Sequence, residues 1–270
     1  MKTITICNQK GGVSKTTTAW TLGNGLHKKG YRVLFIDLDA QTNLSFSAKV
    51  DLLDENTKTI YEVFKHRIET REAIHEIENG LDIIPSSIEL ASADKEFNKS
   101  SATYMLREAL EELQNDYDYC IIDTPPTLGI LTDNALTTCN GVIIPIKADI
   151  YALQGFYQLK GEIEEQRKYT NNDLKVLGLL ITCVDEKTNL GKTMIEAFEK
   201  AAADFDTKVY ETKIRQTVSV GESALAQTNL LQMFKRLSNY KISVQFCEGE
   251  TKIYDVKPLF DNLDEKQRNL

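Results

Sequence analysis

A glycine-rich segment with two lysines follows a short apolar run near the start of the chain. The apolar run is Ile4-Thr5-Ile6-Cys7, and the segment after it is Gln9-Lys10-Gly11-Gly12-Val13-Ser14-Lys15-Thr16-Thr17. This order predicts a strand, a loop and the start of a helix, where backbone N–H groups favour an anion. In a phosphate-binding loop, Lys15 would contact the β- and γ-phosphates and the Thr16 hydroxyl would hold Mg²⁺.

The segment departs from the general phosphate-loop pattern at two positions. That pattern is Gly, four residues, then Gly-Lys-Ser/Thr, and here Gln9 stands at the first glycine and Ser14 at the second. Gly11-Gly12 and Lys15-Thr16 keep the groups that do the chemistry. Because Ser14 adds a side chain where the backbone approaches phosphate, we expect reduced affinity or slow turnover. The alternative is a glycine-rich turn with two surface lysines.

Two further apolar runs end in aspartates. The first leads into Asp37-Leu38-Asp39, and the second is Tyr119-Cys120-Ile121-Ile122-Asp123. A carboxylate at the end of a buried strand beside a phosphate loop can orient the attacking water or contact the Mg²⁺ shell. We assign Asp39 to the water and Asp37 to a structural role, although both could simply cap the next helix. Four apolar residues before Asp123 are typical of a carboxylate that holds Mg²⁺, often through water.

Composition indicates an ordinary globular protein. The 270 residues are 41% hydrophobic and 27% charged, and the net charge is −8, so a polyanionic partner must meet a local basic cluster. The five cysteines contain no C-x-x-C pair, which argues against structural zinc and a disulfide framework. No apolar run is long enough to span a bilayer, and no signal-peptide pattern begins the chain. We therefore expect a cytoplasmic protein.

Strand-like runs alternate with helical patterns, and these elements must position the candidate residues. The predicted strands cover residues 2–7, 32–37, 81–85, 117–123, 141–146 and 175–182. The predicted helices cover residues 15–29, 102–113, 153–168 and 190–203, and residues 51–79 are expected to be polar and helical. The alternation predicts an α/β fold, a mostly parallel sheet with helices on both faces. Ligands of such sheets bind beyond the carboxyl ends of the strands.

With these motifs the chain resembles the ParA/Soj family of partition ATPases. The deviant Walker A motif of that family is matched by Asn8-Gln9-Lys10-Gly11-Gly12-Val13 with Lys15-Thr16-Thr17-Thr18. Its Walker A′ motif is matched by Asp37-x-Asp39-x-Gln41-x-Asn43, and its Walker B motif by Asp123-Thr124-Pro125-Pro126-Thr127-Leu128-Gly129. Three more segments are similar to the family, namely Asn134-Ala135-Leu136, Tyr151-Ala152-Leu153-x-Gly155 and Thr188-Asn189-Leu190-Gly191. The resemblance runs in order from residue 1 to about residue 223.

The resemblance implies a P-loop NTPase fold and a nucleotide cycle. ATP and Mg²⁺ would lie between two subunits of a face-to-face homodimer, and Lys10 would reach the phosphates of the neighbouring subunit. Such ATP-bound dimers bind DNA without sequence preference, and a ParB-type partner stimulates hydrolysis and releases them. The implied outcome is partition of plasmid, mobile-element or chromosomal DNA by a cytoplasmic, nucleoid-associated ATP hydrolase.

The resemblance also implies site residues. The catalytic set is Lys10, Lys15 and Asp39, and Mg²⁺ is held by Thr16 and by Asp123, the latter through water. The nucleotide contacts come from Lys10, Gly11, Gly12, Val13, Ser14, Lys15, Thr16, Thr17 and Gln216.

The expected DNA-binding segment differs from the family pattern, which is Pro-Arg-Asn-x-Arg after the last core strand. The aligned stretch is Arg215-Gln216-Thr217-Val218-Ser219, so Gln216 and Ser219 replace the two arginines. Phosphate contacts need only positive charge in roughly the right place. The candidates are therefore Lys213 and Arg215, with Lys235, Arg236 and Lys241 as another basic cluster. The alternative is that these side chains are simply solvated.

The end of the chain changes character. Residues 241–246 and 251–256 alternate in polarity around Cys247-Glu248-Gly249-Glu250, which predicts a β-hairpin. We divide the chain into a ParA-like P-loop ATPase domain at residues 1–239 and an appended hairpin and tail at residues 240–270.

Two other functions remain open. The segment Leu230-Leu231-Gln232-Met233-Phe234-Lys235-Arg236-Leu237 resembles a short amphipathic membrane-targeting helix, which would suit a MinD-like positioning ATPase. It is more simply the final core helix, so membrane binding is disfavoured. The second alternative, motivated by Ser14 and the altered DNA segment, is a nucleotide-gated regulator or adaptor with little turnover.

Overall fold

The computed structural model describes residues 1–149 and 151–215. Its strands are β1 (Lys2–Ile6), β2 (Val33–Asp37), β3 (His75–Glu78), β4 (Leu81–Ile84), β5 (Tyr119–Asp123), β6 (Gly141–Lys147), β7 (Lys175–Val184) and β8 (Ile214–Arg215). They form one sheet in the order β3-β4-β2-β5-β1-β6-β7-β8. Only the β3–β4 pair of this described sheet is antiparallel, which confirms the predicted α/β class.

Eight α-helices occur in the described ranges. They are α1 (Lys15–His27), α2 (Asn43–Ser47), α3 (Ile60–Phe64), α4 (Ala93–Glu96), α5 (Met105–Glu111), α6 (Ile130–Thr138), α7 (Ala152–Tyr169) and α8 (Asn189–Ala203). Short 3₁₀ segments cover Thr70–Ala73, Ile88–Ser92 and Ser100–Tyr104. None of the helices in the described part of the chain is long and apolar enough to cross a membrane.

The central strands are buried on both faces. Val33 and Phe35 of β2 pack in one apolar cluster, whereas Leu34 and Ile36 of the same strand pack in another on the opposite face. Near-continuous apolar runs are typical of strands covered on both sides. Helix α1 approaches the first face closely, since a Cβ added at Gly23 would lie 2.2 Å from the Phe35 ring.

Helix α1 ends at His27, two residues before the end predicted from the sequence. The Gly30 N–H donates to the His27 carbonyl at 2.8 Å, and Gly30 has a φ of 89°. Glycine is favoured in this left-handed region because it lacks a Cβ. The chain then turns directly into β2.

The polar region at residues 51–79 is not simply helical, and that prediction was wrong. It contains the single turn of α3, a 3₁₀ turn and the edge strand β3. Strand β3 is short, charged and half exposed, so it carries no apolar pattern, and its conformation is set by pairing with β4. The segment at 102–113 likewise begins as 3₁₀ helix before α5.

Two of the cysteines lie in the core. Cys7 and Cys120 are buried among apolar side chains. Several other expectations lie outside the described residues. These are Gln216, Lys235, Arg236, the segment 230–237, the hairpin, and the proposed boundary between residues 239 and 240.

Candidate functional site

The central strands bring the candidate residues to one edge of the sheet. Strand β5 lies between β2 and β1, and its last residue, Asp123, is in register with Asp37 on one side and Ile6 on the other. All three strands are parallel, so their carboxyl ends meet at the same edge. The glycine-rich loop therefore leaves β1 beside the two aspartates, which is where ligands of such sheets bind.

The loop contains two residues in the left-handed region, one on each side of Val13. Gly12 has a φ of 69°, and Ser14, which is the N-cap of α1, has φ 65° and ψ 34°. The Ser14 side chain makes no capping hydrogen bond, whereas its carbonyl accepts from the backbone N–H of Thr18 at 2.9 Å. A non-glycine residue in this region costs roughly 1–2 kcal/mol. Ser14 thus adopts a conformation suited to the glycine that the standard pattern places there.

The start of the loop is held by β6 and by α7. The Asn8 side chain donates to the Pro145 carbonyl at 2.7 Å and accepts from the Lys10 backbone N–H at 2.9 Å. The Gln9 amide donates to the Gly155 carbonyl at 3.3 Å and also contacts Gln158. These contacts hold the start of the loop backbone in place. These roles of Asn8 and Gln9 leave no local signal in the sequence, because Pro145 and Gly155 lie more than a hundred residues away.

Lys15 is buried beside the aspartates. Only 7% of the residue is exposed, and its Nζ donates to the Lys10 carbonyl at 3.2 Å. Burial lowers the pKa of Lys15, and the charges of Asp123 and Asp39 oppose that shift. A buried ammonium with one hydrogen bond to a neutral carbonyl has donor capacity to spare. This amine is thus available to an anion at the loop.

Lys10, the second loop lysine, lies at the surface of the same site. Its Nζ makes an ion pair with Oδ2 of Asp149, just past the end of β6. The exposed fraction is 35% for the Lys10 side chain and 28% for the Asp149 side chain. Asp149 was absent from the residues expected for this site, and no local motif marks it.

Asp123 combines a satisfied oxygen with an unsatisfied one. The Thr16 hydroxyl donates to Oδ2 at 2.6 Å, and Oδ1 is buried without a hydrogen-bond partner among the described residues. Burial raises the pKa of Asp123 well above its ordinary value, and the charge of Asp37 adds to this. A buried, unpartnered carboxylate oxygen is costly. Hydroxyl and carboxylate oxygens are ligands that Mg²⁺ prefers, so the pair fits a magnesium ion.

The other two aspartates are held differently. Asp37 is fully buried and accepts from the Ser45 backbone N–H at 2.9 Å, the Ser45 hydroxyl at 2.7 Å and the Asp39 backbone N–H at 3.1 Å. Burial raises its pKa to about 6, and these hydrogen bonds oppose the shift. Asp39 accepts from the Gln41 backbone N–H at 3.0 Å and keeps 8% exposure. Asp37 therefore braces the turn on which Asp39 is carried.

The basic candidates at the far side of the sheet are only partly described. Lys213 lies 3.6 Å from Glu186, which offsets part of its charge. Arg215 pairs through its backbone with Val184 at the carboxyl end of β7. Both positions therefore lie at the same edge of the sheet as the glycine-rich loop.

The chain is similar in sequence to several known proteins. A family model described as AAA domain matches residues 1–176. The sporulation initiation inhibitor protein Soj of Bacillus subtilis is 40% identical over 225 residues, which are 82% of this chain and 87% of Soj. The chromosome partitioning protein ParA of Myxococcus xanthus is 37% identical over 81% of this chain and 77% of its own length.

One solved structure shares this fold. It is named cobyrinic acid a,c-diamide synthase from Mycobacterium smegmatis and contains an ATP analogue and magnesium. The likeness has a TM-score of 0.74 and 35% identity, and covers 84% of this chain and 91% of that one. The predicted P-loop fold is confirmed by these likenesses, and the chain belongs to the ParA/Soj family of partition ATPases.

Proposed function

We propose that this protein is a Mg-ATP-dependent, dimerising ATPase that binds DNA without sequence preference. With a ParB-type partner it would drive the partition of plasmid, mobile-element or chromosomal DNA. One observation carries the proposal: Thr16, Asp123 and Lys15 converge at the carboxyl edge of the sheet in a chain of this family. Membership of a family of partition ATPases supports hydrolysis as its activity.

The glycine-rich loop is the proposed triphosphate cradle. Its backbone N–H groups lead into the N-terminus of α1, where the helix dipole favours negative charge. Lys15 would give up its bond to the Lys10 carbonyl and donate to phosphate oxygens, a stronger charge-assisted bond. The proposed contacts are Lys10, Gly11, Gly12, Val13, Ser14, Lys15, Thr16, Thr17 and Gln216.

Magnesium is proposed to be held by the Thr16 hydroxyl and, through water, by the unpartnered oxygen of Asp123. Bound there, the ion supplies positive charge to the phosphate oxygens. The two residues already share a hydrogen bond, so their side chains are oriented in advance. The mycobacterial relative's structure with an ATP analogue and magnesium supports this cofactor.

Asp39 is the proposed residue that positions the attacking water. It is carried on a turn braced by Asp37 and Ser45, close enough to Lys15 for their charges to interact. A carboxylate that accepts a hydrogen bond from water points the water's lone pair at the γ-phosphate. Lys10 would come from the opposite subunit and stabilise the charge that develops on the phosphate oxygens.

DNA would be met by local positive charge on a protein whose net charge is −8. Lys213, Arg215, Lys235 and Arg236 are the proposed contacts, and a dimer would present two copies of each. We keep the division into an ATPase domain at residues 1–239 and a hairpin and tail at 240–270 as part of the proposal. A nucleoid-associated protein in the cytoplasm is the corresponding location.

The decisive experiment compares purified protein without nucleotide, with ADP and with ATP. Light scattering coupled to gel filtration reports the oligomeric state, and fluorescence anisotropy on two unrelated DNA duplexes reports binding across a salt series. We expect a dimer, and salt-sensitive binding of both duplexes, in the presence of ATP but not with ADP or without nucleotide. Lys15→Ala is the matched negative control. A monomer under all three conditions, or binding that ignores nucleotide, would overturn the proposal.

A regulator with little turnover is the second candidate. The name of the Bacillus relative describes an inhibitor of sporulation initiation, and Ser14 has the strained conformation described above. Steady-state phosphate release with and without DNA separates the two. Stimulation by DNA and a partner favours partition, and negligible turnover in every condition favours the regulator.

A further inference from the structure

Two consecutive residues at the start of the glycine-rich loop are held by the turn before α7 and by the first turn of that helix. Gln9 bonds to Gly155 in the first turn of α7, and Lys10 pairs with Asp149 just before that helix. The start of α7 therefore positions the loop backbone, and the turn before it positions the Lys10 side chain. A lysine side chain that is paired in this way faces its own subunit.

Asp149 is oriented for this contact by its own turn. Its Oδ1 accepts from the Tyr151 backbone N–H at 3.1 Å, and its backbone N–H donates to the Lys147 carbonyl at 2.8 Å. These bonds leave Oδ2 for Lys10. The carboxylate is thus placed by the backbone rather than by the lysine, which makes it a fixed anchor for a flexible partner.

We propose that Asp149 is a positioning residue that retains Lys10 within its own subunit in the nucleotide-free protein, so that the ion pair must break before Lys10 can serve a second subunit. The inference rests on the proposed role of Lys10 across a dimer. One ammonium cannot lie against Asp149 and also extend to a facing protomer. Dimerisation therefore exchanges an ion pair within each subunit for contacts between subunits.

The expected size of the effect follows from the exposure of the pair. A partly exposed ion pair is worth a factor of about two to five. Each dimer requires two exchanges, so removing the pair should tighten the dimer dissociation constant by roughly four- to twenty-fivefold. The effect should weaken at high salt, because screening loosens the same pair in the wild-type protein.

The test uses Asp149→Asn, which keeps an oxygen for the Tyr151 N–H and removes the charge that holds Lys10. The control is Asp173→Asn, an equal charge change at an exposed position of the α7–β7 turn. The first measurement is the rate of amine acylation at Lys10 in the nucleotide-free protein, followed by mass spectrometry with exposed Lys192 as internal reference. The second is the dimer dissociation constant with a non-hydrolysable ATP analogue and magnesium, from sedimentation.

We expect Asp149→Asn to acylate faster at Lys10 and to dimerise more tightly, with Asp173→Asn behaving as wild type. Unchanged acylation at Lys10 would overturn the inference, because the ion pair would not be protecting the amine. Faster acylation with an unchanged or weaker dimer would also overturn it and would leave the proposed function standing. Wild-type and variant proteins that both stay monomeric would overturn the proposed function and this inference together.

Discussion

The Thr16 hydroxyl donates a hydrogen bond of 2.6 Å to Oδ2 of Asp123, a residue 107 positions later in the chain. This bond joins the first turn of α1 to the last residue of β5. It occupies one oxygen of a fully buried carboxylate and leaves the other without a partner among the described residues. The pair therefore offers a hydroxyl and a carboxylate oxygen, the kinds of ligand that Mg²⁺ prefers.

Lys15→Ala should weaken ATP binding on the order of a hundredfold. The amine is buried and donates to a backbone carbonyl, whereas phosphate oxygens would offer it a charge-assisted bond that alanine cannot make. Isothermal titration with Mg-ATP measures the change. Lys99→Ala, at an exposed position away from the loop, serves as the control. An unchanged affinity in Lys15→Ala would mean that the loop does not bind the triphosphate.

Asp39→Ala should slow hydrolysis by about 10²- to 10⁴-fold, the usual contribution of a positioned acid–base group, while nucleotide binding persists. The protein would then accumulate as an ATP-bound dimer. Phosphate release and gel filtration measure the two effects. Glu55→Ala changes an exposed acid nearby in the sequence and should leave both unaltered. Normal turnover in the Asp39 variant would remove that residue from the mechanism.

Lys10→Ala should reduce turnover by about 10²- to 10³-fold, because charge directed at the transferring phosphoryl group acts mainly in the transition state. ATP affinity should fall only a few-fold, since Lys15 and the loop backbone remain. Comparing kcat with the dissociation constant for ATP separates these effects. An equal loss in both quantities would argue against action across the dimer.

Ser14→Gly should stabilise the protein by about 0.5–1 kcal/mol. Relief of the left-handed strain at Ser14 is worth roughly 1–2 kcal/mol, and the greater freedom of glycine in the unfolded chain offsets about 0.4–1 kcal/mol of it. Urea denaturation measures the change. Ser47→Gly in α2 should instead destabilise by about 0.5 kcal/mol. If both glycines destabilise equally, the loop carries no strain at Ser14.

Asp133→Asn should change how stability depends on pH. Burial, with the adjacent charges of Glu162, Asp94 and Glu165, raises the pKa of Asp133 to about 7. The folded wild type therefore binds a proton that the unfolded chain lacks between about pH 4 and 7, and its free energy of unfolding falls as pH rises through this range. Asparagine does not titrate, so the free energy of unfolding of the variant lacks this fall. The difference in stability between variant and wild type should therefore shift in favour of the variant up to about pH 7 and then level off.

Urea unfolding of wild type and Asp133→Asn at several pH values tests this slope. Asp118→Asn provides a control of opposite sign, because hydrogen bonds from Arg32 hold the pKa of Asp118 below its ordinary value. Its wild-type carboxylate adds stability above the unfolded pKa, and this is lost as pH falls. If the free energy of unfolding of Asp133→Asn changes with pH as that of wild type does, the raised pKa of Asp133 is contradicted.

Much of the fold followed from local patterns. The strands β1, β2, β5, β6 and β7 appear in the sequence as nearly continuous apolar runs, which are typical of strands buried on both faces. The glycine-rich loop and the aspartates follow at the ends of such runs. The edge strand β3 escaped prediction because it is four residues long, charged and half exposed. Its conformation depends on pairing with the edge of β4, and no local window of the sequence shows that pairing.

The sequence by itself determined which groups are present and on which side of the sheet they emerge, because strand, loop and helix signals are local and parallel strands share a carboxyl edge. The tertiary structure alone decided how those groups are partnered. Thr16 meets Asp123, Lys10 meets Asp149, and Asp37 meets Ser45. The first two pairs are separated by more than a hundred residues, so sequence spacing carries no record of them and strand order brings them together.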